Sequence, residues 1–240
     1  TWSHLGWKEY IRTFYAEAGP DGTIWAACGN GVLRSTDGGR GWVVTTGWEV
    51  TEVMKVRVAP DAPKFVVAAT AYGVFRSTDA GGTWRVSTNG FKRKFAADIA
   101  FDIASPARIL AAGEDGVLVT TDRGEKWQRS DLRSPVNVLL QNPGRPSEFW
   151  AGTEESGVYQ STDGGKRWIP RNARMQGATV YSLALDAASP GRIYAGTYGR
   201  GVFRSDDGGM TWKERNAGLQ NLDVHSLCVI PGEPAVVLAG

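Results

Sequence analysis

The sequence predicts an all-β fold, a propeller of four-stranded antiparallel blades, and three observations carry that prediction. The first is a box, Ser/Thr-x-Asp-x-Gly-x-x-Trp, written five times: STDGGRGW (35–42), STDAGGTW (77–84), TTDRGEKW (120–127), STDGGKRW (161–168) and SDDGGMTW (205–212). Its aspartates, Asp37, Asp79, Asp122, Asp163 and Asp207, lie 42, 43, 41 and 44 residues apart, the period of a propeller blade. The second is the company each box keeps. GVLRS, GVFRS, GVLVT, GVYQS and GVFRS precede the five copies, with IWAAC, VVAAT, ILAAG, FWAGT and IYAGT upstream of those and a further apolar run before each. The third is composition: 31 glycines in 240 residues and no helical periodicity, which favour short strands and tight turns.

In the last complete copy the strands A to D read VYSLALD, RIYAGT, GVFRS and TWKER. One such sheet cannot cover its own faces, so each blade must stack on the next. The expected organisation is a single domain over 1–240 with blades at 7–46, 47–88, 89–130, 131–172 and 173–216. VHSLCVI (224–230) and VVLAG (236–240) are strands A and B of a sixth unit, within 217–240. TWSHLG (1–6) resembles the opening of strand D and is expected to add an outer strand to that partial blade. Two closures stay open: a six-bladed ring short of one strand, or a piece of a larger ring.

The box falls in the turn between strands C and D. An aspartate there accepts hydrogen bonds from backbone N–H groups of its own turn, and the glycine two residues on supplies a backbone angle other residues resist. Trp42, Trp84, Trp127, Trp168 and Trp212 then fold back between sheets with the indole N–H available to a partner. A calcium loop needs more oxygen ligands than one acid and one hydroxyl. A phosphate cradle needs a helix or a lysine after the glycines, and neither follows. The boxes are expected to be structural, and neither metal nor cofactor is expected.

These boxes resemble the Asp-box motif, also called the bacterial neuraminidase repeat. With the GVFRSTDGG lead-in, the units resemble the photosystem II assembly and stability factor family and the propellers of sortilin-type receptors and xyloglucan-cleaving glycosidases. The resemblance covers essentially the whole chain and implies a propeller. It spans glycosidases, receptors and assembly factors, so it specifies fold and not function.

Catalytic constellations do not emerge from the residues. The sialidase entry motif Phe-Arg-Ile-Pro is absent, and Arg34, Arg76 and Arg204 recur at one strand C position as a solvated decoration. Of the carboxylates near the inner strands, Glu49, Glu52, Asp98 and Asp223, no two pair as a glycosidase requires. His4 and His225 lack spacing partners, and His225 is expected to pack in strand A. Cys28 and Cys228 are expected as buried free thiols. Alternation along strand A places Lys55 and Arg57 beside Asp98, as an ion pair between blades or as an anion site in the central channel.

The remaining signal lies at the loop end, opposite the boxes. GWEVTE (47–52) and GFKRKF (90–95) are successive D–A loops; they offer the aromatics Trp48 and Phe91 and the cations Lys92, Arg93 and Lys94. Arg133, Arg171, Arg174 and Arg200 join this face in later blades, with Tyr72 and Tyr198 in B–C loops and an acidic counterpart in Glu114, Asp115, Glu154 and Glu155. Aromatic plus arginine is the composition of interface hot spots. The expected function is a non-enzymatic binding or assembly module that contacts a protein partner. The resemblance implies a partner in an extracytoplasmic membrane complex, and an extracytoplasmic location with it. The alternative is a glycosidase-like or carbohydrate-binding propeller using Trp48, Tyr72 and Tyr198 as sugar platforms. The formal charge of +2 gives no footprint for nucleic acid, and no apolar run reaches membrane-spanning length.

Overall fold

The computed structural model describes residues 12–189, 191–230 and 236–240, and among them strands are the only regular elements. These described residues form two compact units, one within 12–114 and 118–128 and the other within 115–117 and 129–240. In the first unit, blade one holds Thr13–Ala18, Ile24–Cys28, Gly31–Ser35 and Val43–Val44, and blade two holds Val53–Ala59, Ala62–Thr70, Gly73–Ser77 and Arg85–Val86. Blade three contains Ala96–Phe101, Ile109–Gly113, Gly116–Thr120 and Gln128–Arg129. The second unit carries blade four (Val136–Gln141, Phe149–Thr153, Val158–Ser161, Ile169–Pro170) and blade five (Val180–Leu185, Ile193–Thr197, Gly201–Ser205, Lys213–Glu214). A two-stranded sheet, Leu227–Ile230 with Val236–Ala239, ends it. Each complete sheet runs in chain order, A to D. The expected outer strand at 1–6, and His4 with it, lies outside the described residues.

The apolar cores lie between sheets. Val32 and Trp25 of blade one pack with Val56, Val66 and Phe75 of blade two; Val67, Ala69 and Val74 of blade two pack with Ile99, Leu118 and Trp127 of blade three. In the second unit Trp150 and Val158 meet Leu183, Ile193, Phe203 and Trp212. Burying such side chains stabilises by about 1.5–3 kcal/mol each, and here each sheet obtains that gain from its neighbour. Strand D has only two residues in every blade, an edge too short to template pairing with another chain.

The boxes are turn scaffolds. In each, the aspartate Oδ1 accepts the Ser or Thr hydroxyl two residues before it and a backbone N–H four residues after it: Gly41 on Asp37 at 2.9 Å, Thr83 on Asp79 at 2.8 Å, Lys126 on Asp122 at 3.0 Å, Arg167 on Asp163 at 3.0 Å and Thr211 on Asp207 at 2.9 Å. The same hydroxyl accepts the N–H of the box's invariant glycine, for example Gly165 on Ser161 at 2.9 Å. The indoles divide into two groups. Trp84 and Trp212 donate across to Thr45 O and Arg171 O of the preceding blade, and Trp127 donates to Ser87 Oγ. Trp42 and Trp168 donate within their own turns, to Gly39 O and Gly165 O.

Strand C holds a correction. Arg34 and Arg76 are not a solvated decoration: each reaches the box of the next blade, Arg34 to Ala80 O at 2.6 Å and Arg76 to Arg123 O at 3.1 Å, and Arg76 also pairs with Glu125 at 2.6 Å. Ala80 and Arg123 are the two box residues that hold a left-handed conformation, φ 57°, without being glycine. A guanidinium from the neighbouring blade fixes the carbonyl of each strained residue. Arg204 turns instead to its own box, at 2.8 Å from Asp206.

Two predictions follow from the boxes. The Thr83 N–H holds the Asp79 carboxyl down to about 2, and the Thr211 hydroxyl does the same for Asp207. A folded value below the unfolded 3.8 means that stability is complete above about pH 4 and lost as pH falls toward about 2. Urea midpoints should therefore drop across that window, and Asp163→Ala should cost about 1 kcal/mol at neutral pH, the exposed carboxylate being partly screened by water. A flat midpoint between pH 4.5 and about 2.5 contradicts this. Separately, Ala80→Gly should raise stability by about 0.5 kcal/mol, because relief of the left-handed strain exceeds the entropy cost of glycine.

Candidate functional site

The loop end of each unit is laced by backbone hydrogen bonds between successive segments. In the first unit Glu52 N donates to Gly29 O at 2.8 Å and Ala71 N to Glu52 O at 3.1 Å; in the second, Glu154 N donates to Pro135 O at 2.9 Å and Tyr198 N to Thr179 O at 3.0 Å. A β-bulge interrupts the start of strand A in all five blades, at Phe14, Met54, Ala97, Asn137 and Tyr181. A bulge re-aims one side chain out of the pleat's alternation. These five variable positions are functional candidates that the repeat pattern conceals; the only sequence signal is a varied residue just before a regular strand.

In the first unit, Trp48 is 90% exposed and Tyr72 54% exposed. Lys92, Arg93 and Lys94 are exposed on the next D–A loop, with Arg93 at 3.8 Å from Glu114. Phe91 departs from expectation. It is half-buried, packs edge-on against the box indole Trp127 at 5.5 Å and joins the core between blades two and three. The Phe91 N–H donates to Thr88 O at 3.0 Å, a turn that folds the ring back over the indole.

The charges on the inner strands are paired. Lys55 meets Asp98 at 3.3 Å and sits 3.8 Å from the Tyr15 ring centroid, while Arg57 pairs with Glu17 at 3.0 Å. Burial pushes the Tyr15 phenol up to about 12, and its hydroxyl donates to Glu17 at 3.1 Å. The expected ion pair is there, as Lys55 with Asp98. Arg57 takes a partner on blade one that the sequence reading missed, so these cations stabilise one another's blades and do not stand ready for an anion.

In the second unit, Arg174 sits exposed in a left-handed turn, φ 67°. Arg200 crosses the Phe203 ring at 5.0 Å and donates to Arg174 O at 3.0 Å and Gln176 O at 3.4 Å. These two arginines, Lys213 and Glu214 line a cavity of about 400 Å³ floored by Phe203 and Trp212. Arg133 is exposed on the preceding D–A loop, and Tyr198 is 59% exposed.

Four expectations are corrected in this unit. Arg171 leaves the loop face for Gln160 Oε1 at 2.9 Å, because its backbone follows strand D beside strand C. Asp115 is buried and pairs with Arg129 at 3.6 Å, unlike exposed Glu154 and Glu155. His225 precedes the last strand pair, exposed and stacked on Tyr181 at 4.8 Å. Cys28 is buried but Cys228 is exposed, on the alternate face of a two-stranded sheet.

Among the described residues, no group of three or more His, Cys, Asp or Glu side chains is placed to hold a metal, and no helix is long and apolar enough to cross a membrane. Residues 203–214, the last strand C, box and strand D, match the family model of the BNR/Asp-box repeat. The fifth box is a BNR/Asp-box repeat, and the other four share its residue pattern. No curated protein matches the chain. Among solved structures it is similar to an ancestral GH74 enzyme, with a TM-score of 0.76 and 20% identity over 95% of this chain and 34% of that one. It is similar to YCF48 from Cyanidioschyzon merolae, TM-score 0.68 and 15% identity over 95% of this chain and 80% of that one, and to YCF48 bound to D1 peptide, 0.68 and 17% over 96% and 75%. A third likeness is to the extracellular domain of a B. thetaiotaomicron two-component system, 0.64 and 14% over 95% and 36%. The chain spans about a third of the length of the GH74 enzyme and about four fifths of YCF48. At these identities the Asp-box propeller fold is shared.

The Phe91 contact yields a prediction. Phe91→Ala should cost about 2 kcal/mol, below the full cost of a buried phenylalanine, by uncovering Trp127, whereas Trp48→Ala should leave the thermal midpoint within about a degree. Equal losses would mean that both aromatics belong to the core.

Proposed function

We propose that this chain is a non-enzymatic binding module whose loop end, opposite the Asp boxes, contacts a protein partner. The carrying observation is a 90%-exposed Trp48 on a D–A loop, followed in the next blade by exposed Lys92, Arg93 and Lys94. An indole left in water on a laced backbone loses little conformational freedom on binding and gains much by desolvation. The cations add long-range steering toward an acidic partner surface. In the second unit Arg174, Arg200 and Lys213 line a cavity together with Glu214 over Phe203 and Trp212, with Arg133 and Tyr198 on neighbouring loops and Tyr72 the corresponding aromatic of the first unit. YCF48 bound to D1 peptide, a chain of this fold holding a peptide, supports the reading. The extracellular domain among the similar structures supports an extracytoplasmic setting, and the proposal extends to a partner in a membrane complex there.

Likeness to the GH74 enzyme favours a second reading, carbohydrate recognition on Trp48, Tyr72 and Tyr198. The two separate by charge, since sugar stacking is insensitive to salt and steering is not. Replacing Lys92, Arg93 and Lys94 by glutamate should weaken capture of the partner at least tenfold at low salt and less at high salt, with the fold intact. Lys166→Glu with Arg167→Glu on the box face should change it less than twofold. Trp48→Ala should act through the off-rate. Equal effects from the two faces would overturn the proposal; hydrolysis or tight binding of an oligosaccharide, with no charge dependence, would establish the second reading.

A further inference from the structure

We infer that the loop end of the second unit carries a subsite for an arginine side chain of the partner, formed by Tyr198 and Asp223 and backed by Tyr181 and His225; the inference rests on the protein-binding reading above. The aromatic part is a row. The bulge at the start of strand Val180–Leu185 turns Tyr181 out of the alternation. Its ring meets Tyr198 edge-on, 6.2 Å between centroids at 75°, and lies flat against His225, 4.8 Å at 19°. Tyr198 keeps 59% of its surface in solvent, so the row ends in an accessible ring whose orientation is set from behind.

The acidic part is fixed just as firmly. Asp223 Oδ1 accepts the N–H of Gly199, the residue after Tyr198, at 2.8 Å. Its own N–H is taken by Asn221 Oδ1 at 3.0 Å. Its two neighbours are tied to the same B–C loop, Leu222 O by Gly201 N at 2.9 Å and Val224 N to Thr197 O at 3.0 Å. Asp223 makes no ion pair among the described residues. The arginine nearest Tyr198 in sequence, Arg200, is engaged by Arg174 O and Gln176 O.

An open ring beside a carboxylate with no cation is a site for a cation. The ring quadrupole attracts positive charge at its face, and the carboxylate supplies charge-assisted hydrogen bonds. Guanidinium satisfies both at once, being planar enough to stack on Tyr198 and forked enough to reach a carboxylate oxygen, where an ammonium remains a hydrated point charge. The subsite therefore selects a partner segment that presents an arginine.

The test titrates N-acetyl-arginine amide and its neutral isostere N-acetyl-citrulline amide into the full chain and follows the tyrosine ring resonances by NMR, with Tyr198 assigned from Tyr198→Phe. The arginine probe should shift the Tyr198 signal saturably and the citrulline probe should not. Asp223→Asn, which keeps an acceptor for Gly199, should weaken the response about tenfold, and Tyr198→Leu should weaken it similarly. Equal responses to the two probes, an unchanged response in Asp223→Asn, or a Tyr198 shift produced only by cellobiose would overturn the subsite. The titration needs no partner, so its failure leaves the binding module standing, and failure of the charge reversals leaves the titration result standing.

Discussion

A four-stranded sheet has two apolar faces and can cover neither, and the rest of this structure answers that constraint. The repeat in the sequence is the repeat of an interface. Val67 and Phe75 belong to one strand pair of blade two, yet Val67 packs toward blade three and Phe75 toward blade one. The box is the fastener of that arrangement. Its carboxylate closes the C–D turn, the closed turn aims the indole, and the indoles of Trp84, Trp127 and Trp212 hydrogen-bond to the blade before. An acidic cluster beside glycines thus has a mechanical purpose, which is why it recurs five times while the loops at the other end vary.

The division of labour between the two ends follows from antiparallel order. Boxes lie at one end of every sheet, and D–A and B–C loops lie at the other. Fixing the box end leaves the loop end free to differ from blade to blade without disturbing the cores. Backbone lacing, such as Tyr198 N to Thr179 O, then holds varied side chains on a rigid frame. Recognition built this way loses little entropy on binding.

Much of the fold was legible because it repeats. Five boxes in phase gave the strand order and the turn chemistry, and alternation along strand A put Lys55 and Arg57 beside Asp98, of which Lys55 makes the pair. What stayed hidden depends on relations between blades or on single-residue geometry. Arg34 and Arg76 read as surface charge because their acceptors, Ala80 O and Arg123 O, lie 46 and 47 residues away and are backbone atoms without a sequence signature. Phe91 read as an exposed loop aromatic, and only the turn through Thr88 O lays it on Trp127. The bulges that aim Tyr181 and Asn137 leave no mark in an apolar alternation one residue long. Trp48, Tyr72, Tyr198 and the Lys92–Lys94 run are exposed on loops, whereas Arg171 and Asp115 are tied into the frame.

The central claim is that function resides at the loop end and the boxes are scaffold. Hydrogen–deuterium exchange on the chain with and without its captured partner tests it most directly. The account predicts added protection in segments 47–54, 90–95, 174–181 and 198–200, with the five box turns unchanged. Protection concentrated in the box turns, with the loop segments exchanging as in the free chain, would contradict it.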